Sequence, residues 1–188
     1  MRKVVVSMFM TVDGVMEAPN EWSFQFWSDE SARYKFDELF EGDALLLGRV
    51  TYEGFAAAWP TMTDEQGFAD RMNGLPKYVA TTTLDDLTWN ATRIEGDIAE
   101  SVATLKAQEG QNILVFGSAD LVNYLTDHDL VDEYRLMIFP VVVGKGKHLF
   151  AEGLGKKAFR LAASKVFASG VVVQTYAPAA VDGADDAV

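Results

Sequence analysis

The chain has 188 residues, 49% of them hydrophobic and 12% aromatic, enough for one sizeable folded domain and far from a disordered composition. It has no cysteine and two histidines, His128 and His148, which excludes disulfides, thiolate metal sites and cysteine nucleophiles and argues against any metal centre. A net charge of −12 disfavours nucleic acid and anionic membranes as partners, so a polyanionic ligand needs a local positive site.

The apolar part of the opening segment, Met1–Met10, is too short for a signal peptide, and no run is long enough to span a bilayer. A cytoplasmic protein is expected. Val4–Phe9 reads as a buried strand, broken by Thr11–Gly14. Asp13 beside Gly14 is either a functional carboxylate or a plain turn former. The loop to Ser28 holds Trp22, Phe24, Phe26 and Trp27. It is a flap over a flat ligand, or a loop burying its rings against its own domain or a second subunit. Ser28 caps a helix carrying Tyr34, Phe36, Leu39 and Phe40, which ends at Gly42. Ala44–Leu47 is a short buried strand; Gly48 turns it into a helix from Thr51 to Trp59 that Pro60 stops. A strand that enters a helix through glycine leaves the first helical N–H groups unpaired. With the helix dipole, the Arg49 guanidinium and the Thr51 hydroxyl, this makes a phosphate site. An ordinary strand–turn–helix with a solvated arginine reads equally well from this stretch alone.

Thr63–Met72 reads as a helix ending at Asn73-Gly74, Lys77–Thr83 as a strand and Thr92–Ile94 as a short one. Asp97–Gln108 is amphipathic, and Asn112–Phe116 is a buried strand. Gly117-Ser118 then opens a helix over Ala119–Leu125, a second strand–glycine–helix junction with Asp120 competing for its anion. The alternation predicts a largely parallel sheet covered by helices on both faces. Glu133–Val143 is a long strand, and Phe159–Phe167 and Val171–Tyr176 form a hairpin around Ser169-Gly170. Lys145, Lys147, Lys156, Lys157 and Arg160 concentrate positive charge, as a solvated hairpin end or as an anion patch. One domain over 1–178 and an acidic, disordered tail over 179–188 are expected.

These motifs, in this order, resemble the dihydrofolate-reductase-like superfamily. They are most similar to stand-alone relatives of the reductase domain of bifunctional riboflavin-biosynthesis deaminase–reductases. The matching pieces are Ser7–Gly14, Leu47–Glu53, Lys77–Thr82, Ile113–Ser118, Asp132–Tyr134, Pro140–Gly146 and Leu149-Phe150. The resemblance implies an α/β fold of three layers, a mixed and mostly parallel sheet between helices with antiparallel strands at the end, that binds NADPH. It implies that Gly48, Arg49 and Thr51 hold cofactor phosphate, Thr81 and Thr82 the 2′-phosphate, and Gly117, Ser118, Ala119 and Leu121 the pyrophosphate, with Gly144 and Lys145 flanking. Dihydrofolate reductases often carry Gly-Gly at the second junction; Ser118 stands in its second place here. The aromatic loop would cover the nicotinamide, with Asp13 nearest the reaction and Trp22, Trp27 and Asp29 on the substrate side.

The expected function is an NADPH-dependent reductase acting on a small unsaturated, pterin- or pyrimidine-like ring. A reductase of a phosphoribosyl-aminopyrimidine, its phosphate on the Lys145–Arg160 cluster, is the alternative within the same class. A nucleotide-binding protein without turnover is the alternative outside it. The late strands and exposed aromatics also suggest a homodimer.

Overall fold

Alternate residues of the first strand serve different layers. In β1 (Val4–Thr11), Val4, Val6 and Met8 join one apolar cluster, while Val5 joins another on the opposite face. A strand apolar on both faces belongs inside a sheet covered on both sides, and β1 lies between two parallel neighbours. The computed structural model describes residues 1–179.

After β1 comes α1 (Pro19–Trp22), a single turn inside the aromatic loop, and then α2 (Asp29–Phe40), capped by the Ser28 hydroxyl accepting the Ser31 N–H. β2 (Gly42–Gly48) passes directly into α3 (Arg49–Ala58). α4 (Phe68–Gly74), β3 (Lys77–Ala80) and β4 (Ala91–Arg93) follow, then α5 (Ile98–Ala107), β5 (Asn112–Phe116), α6 (Ala119–Asp127) and β6 (Glu133–Phe139). β7 (Ala158–Val166) and β8 (Val172–Ala179) form the closing hairpin. The sheet order is β4-β3-β2-β5-β1-β6-β8-β7, parallel from β4 to β6 and antiparallel beyond. Leu39, Tyr52 and Met72 bring α2, α3 and α4 onto one face, and Val102, Leu105, Val122 and Leu125 bring α5 and α6 onto the other. This is the three-layer α/β architecture expected. The tail expected over 179–188 lies outside the described residues, apart from Ala179 at the end of β8.

Among the boundaries that differ from the sequence reading, three have a clear local reason. The helix expected from Thr63 starts at Phe68, because the Asp64 carboxylate accepts the N–H groups of Gln66, Phe68 and Ala69 and bends the chain first. The strand expected to reach Thr83 stops at Ala80, because the Thr81 hydroxyl accepts the N–H groups of Thr83 and Leu84. The strand expected to reach Val143 stops at Phe139, before Pro140, which has no N–H for the ladder.

Two features matter below. Lys77 opens β3 with its side chain 0% exposed. Its ammonium donates to the Asn73 carbonyl (2.8 Å) and lies 3.9 Å from the centre of the Trp89 ring. Asn73 holds that ring through the indole N–H (2.6 Å). The second feature is a step in the sheet edge. β5 pairs with β1 only as far as Phe116 opposite Ser7, whereas β1 and β6 run on together from Met8↔Leu136 to Thr11↔Phe139. The projecting wall is roughly 13 Å tall at the strand rise, and it stands beside the turn at Gly117.

Candidate functional site

Because β2 and β5 are neighbours, the exits at Gly48 and Gly117 lie side by side on the carboxyl edge of the sheet, where open α/β sheets bind ligands. One side chain ties them together. The Ser118 hydroxyl accepts the Gly48 N–H (2.9 Å) and donates to Thr51 Oγ1 (2.7 Å). Those two bonds hold Ser118 in the left-handed region (φ 65°), unusual for a residue with a side chain. The glycines are required by the same closeness. A Cβ on Gly48 would lie 2.7 Å from Ser118 Oγ, and one on Gly117, itself at φ +70°, would lie 2.8 Å from Thr51 Oγ1.

Neither α3 nor α6 has a side-chain cap. Their first-turn N–H groups therefore face the same edge with both dipoles' positive ends. Arg49 lies exposed there, paired with Glu53 (2.7 Å). Asp120, in the first turn of α6, pairs with Lys147 (2.6 Å), which offsets the competition its charge would offer an anion. Thr81 and the exposed Thr82 stand at the next exit, that of β3. The nine residues Gly48, Arg49, Thr51, Thr81, Thr82, Gly117, Ser118, Ala119 and Leu121 thus follow three adjacent strand exits. Ala119 and Leu121 have buried side chains and can offer only backbone.

Gly144 and Lys145 follow β6, on the far side of β1, in a turn tied to Asp13. The Asp13 carboxylate accepts the Gly144 N–H (2.8 Å), the Val143 N–H (3.3 Å) and the Thr11 hydroxyl (2.6 Å). The Thr11 hydroxyl first, then these amides, lower its pKa to about 2. Asp13 therefore stays ionised at neutral pH and cannot donate a proton. These bonds strap the loop to the 140–149 segment, which also pairs through Val15↔His148. Because the folded pKa lies below the ordinary 3.8, the strap contributes above about pH 4 and is lost as pH falls toward 2. Thermal melts should show a smaller loss of stability between pH 5 and 2 in Asp13→Ala than in the parent protein.

On the substrate side, the structure corrects Trp22. It is 6% exposed, its indole N–H donates to the Glu17 carbonyl (2.9 Å), and it packs edge-on against Phe139 (5.4 Å). It is core, because the 3-residue turn after it folds the loop inward. Trp27 is 38% exposed and leans on Phe9 at 5.8 Å, on the open side of the loop. Asp29 is exposed in the first turn of α2, where a carboxylate complements the dipole.

The face of α2 that meets the sheet brings a polar cluster that the sequence reading missed. The Ser7 hydroxyl donates to Glu38 Oε2 (2.8 Å) and accepts from Lys35 Nζ (2.8 Å), and Lys35 pairs with Glu38. The Lys35 ammonium lies 4.3 Å from the Phe116 ring centre and 5.5 Å from that of Phe9. Arg135, opposite Ser7 on β6, is held by Glu133 (2.6 Å) and Glu41 (2.7 Å) and stands 3.8 Å from Glu38 Oε1. The signal available in the sequence was faint: one hydroxyl in an apolar strand, and a lysine and glutamate three apart on a helix.

The basic residues do not converge. Lys145 and Lys147 follow the carboxyl end of β6, whereas Ala158 pairs with Ala179 at the amino end of that strand, which puts Lys156 and Lys157 at the opposite edge of the sheet. There they line a cavity of about 480 Å³ with Asp129, Tyr134 and Phe159, and Lys157 pairs with Asp129 (2.8 Å). The single patch expected for a substrate phosphate is not formed. No helix of the described residues is long and apolar enough to cross a membrane.

Residues 2–173 match the family described as the RibD C-terminal domain. The chain is 30% identical over 181 residues to YyaP of Bacillus subtilis (strain 168), an uncharacterized protein, covering 93% of this chain and 94% of that one. Its fold is similar to that of a candidate riboflavin biosynthesis protein of Shewanella sp. PV-4, with TM-score 0.77 at 20% identity over 95% of this chain and 99% of the other. It is also similar to a deaminase/5-amino-6-(5-phosphoribosylamino)uracil reductase of Thermotoga maritima, with TM-score 0.66 at 15% identity over 95% of this chain and 57% of the other.

Proposed function

The chain belongs to the RibD C-terminal domain family, and from that premise we propose that it is an NADPH-dependent reductase that transfers a hydride to a small unsaturated pyrimidine- or pterin-like ring. The observation that carries the reading is the pair of uncapped helix starts on neighbouring strands, locked to each other by Ser118. In this reading the first turn of α6, with Gly117 and Ser118, holds the pyrophosphate. The first turn of α3, with Arg49 and Thr51, holds a second phosphate. Thr51 accepts from Ser118, which leaves its own hydroxyl hydrogen free to donate. Thr81 and Thr82 take the 2′-phosphate, and Gly144 and Lys145 close the outer side. Bound NADPH supplies the hydride; the chain orients the ring and keeps water out with its aromatic loop.

The test is a titration with NADPH followed by tryptophan fluorescence. Saturable binding is expected, and Arg49→Met should weaken it by about tenfold, the scale of one charge-assisted hydrogen bond. Absence of saturable binding at millimolar cofactor removes the proposal. We extend the reading to a cytoplasmic homodimer. β7 is exposed from Arg160 to Val166, with Leu161 52% and Val166 69% exposed, and an edge strand carrying exposed apolar side chains suits a second copy. Sedimentation at a monomer's mass would remove that part.

A further inference from the structure

We infer that Lys35 is the residue that recognises the ring, donating an N–H to a carbonyl oxygen on its edge, and that Glu38 and Ser7 are the residues that position it. The inference rests on the proposed reductase reading and names the edge chemistry of its substrate.

An ammonium has three donors. Ser7 Oγ and Glu38 Oε2 take two of those on Lys35. The third has no acceptor among the described residues, and the nearest groups are the ring faces of Phe116 and Phe9. Phe116 is the last residue of β5, so the ammonium lies beside the Gly117 turn and at the foot of the step formed where β1 outruns β5. Phe9 lies two residues beyond Ser7 on that wall and is touched by Trp27. A flat ring entering between the loop and the strand would meet aromatic side chains and, at its inner edge, the Lys35 ammonium. Lys35 has 12% of its side chain exposed and Glu38 has 0%, so a ligand reaches the lysine and not the carboxylate.

The surrounding charges fix this geometry. Arg135 is committed to Glu133 and Glu41, which leaves Lys35 as the close partner of Glu38. Glu38 Oε1 is buried with no hydrogen bond, 3.8 Å from the Arg135 guanidinium. A buried pair is a poor stabiliser compared with apolar side chains of the same volume, because both ions lose their hydration. An under-satisfied carboxylate that holds a cation at the foot of the step fits a binding role better than a structural one. A donor at this position favours rings with oxo groups on their edge over rings with amino groups there.

Calorimetry with two flat probes tests this: 5-aminouracil, with oxo groups on its edge, and 2,4,6-triaminopyrimidine, with amino groups in their place. Titrations are run with and without NADP⁺. The parent protein should bind 5-aminouracil about tenfold or more tighter than the triamine, the scale of a hydrogen bond to a charged group. Lys35→Met should erase that preference while leaving the triamine and NADP⁺ affinities unchanged, and Lys35→Arg should restore part of it. If Lys35→Met fails to fold with Glu38 unpaired, the double variant Lys35→Met/Glu38→Leu replaces both ions by apolar groups and is expected to fold and to lose the preference too. Equal binding of the probes by the parent protein, or an unchanged preference in the lysine variants, overturns the inference. Failure of NADP⁺ alone to bind counts against the reductase reading and not against Lys35, since the probe titrations without cofactor stand by themselves.

Discussion

Gly117→Ala is expected to lower cofactor affinity by about a hundredfold, or roughly 2.7 kcal/mol, and to destabilise the fold as well. At φ +70° an alanine sits in the left-handed region, at a cost of about 1–2 kcal/mol. Its methyl would also lie 2.8 Å from Thr51 Oγ1 and 3.1 Å from Thr51 Cγ2. Thr51 then moves, the Ser118–Thr51 bond is lost, and the Gly48 N–H loses its acceptor or drags β2 with it. Overpacking of this kind costs about 1–3 kcal/mol more, against a typical domain stability of about 5–15 kcal/mol. The matched control is Gly54→Ala in α3, where an added methyl meets nothing within 4 Å and helix propensity favours alanine by about 1 kcal/mol. Chemical denaturation and NADPH titration on both variants check the pair. A Gly117→Ala protein with parental affinity contradicts the site as drawn.

Lys77→Met is expected to stabilise the protein at neutral pH and to lose that advantage in alkali. Burial lowers the Lys77 pKa from 10.5 to about 8, because the charged form gives up water and meets only a carbonyl and the Trp89 ring. Between those two values the unfolded chain binds more protons than the folded one, so stability attributable to this group rises with pH from about 8 to 10.5 and is level below 8. The ceiling is about 3 kcal/mol at 1.36 kcal/mol per unit. Losing the carbonyl bond and the ring contact returns about 1–2 kcal/mol of that, leaving a net gain of about 1–2 kcal/mol at pH 7. Half-buried Tyr34 and buried Tyr134, whose hydroxyl pKa values desolvation raises, push the parent curve the other way at high pH. The difference between variant and parent is therefore the quantity to measure, by urea unfolding at pH 7, 9 and 10.5. A difference that stays constant over that range means that Lys77 does not titrate where its burial requires.

What the sequence revealed follows from the range over which each residue acts. Asn112–Phe116 was legible to the residue because an apolar run between polar ends needs no distant information. The junctions at Gly48 and Gly117 were legible because glycine, helix start and anion chemistry lie within a few residues. Their closeness in space followed from the alternation of strands and helices, though the Ser118 bond that locks them did not. The surroundings of Asp13 and Trp22 were not legible because what occupies them comes from far along the chain, Gly144 for one and Phe139 for the other. Lys35, Glu38 and Ser7 were silent for a further reason. Their meeting depends on how α2 is rotated over the sheet and on which face of β1 Ser7 takes, and periodicity alone leaves both free.

The step where β1 outlasts β5 has one more consequence. Its tall side is a strand hydrogen-bonded to β6 along its full height, and its floor is the end of another strand, paired to β1 through Ser7↔Phe116. Neither boundary can breathe without unzipping a ladder. If the proposed reductase reading holds, a recess framed that way keeps its width from one ligand to the next, and altered specificity should come by point substitution of the residues pointing inward or in the aromatic loop sooner than by insertion.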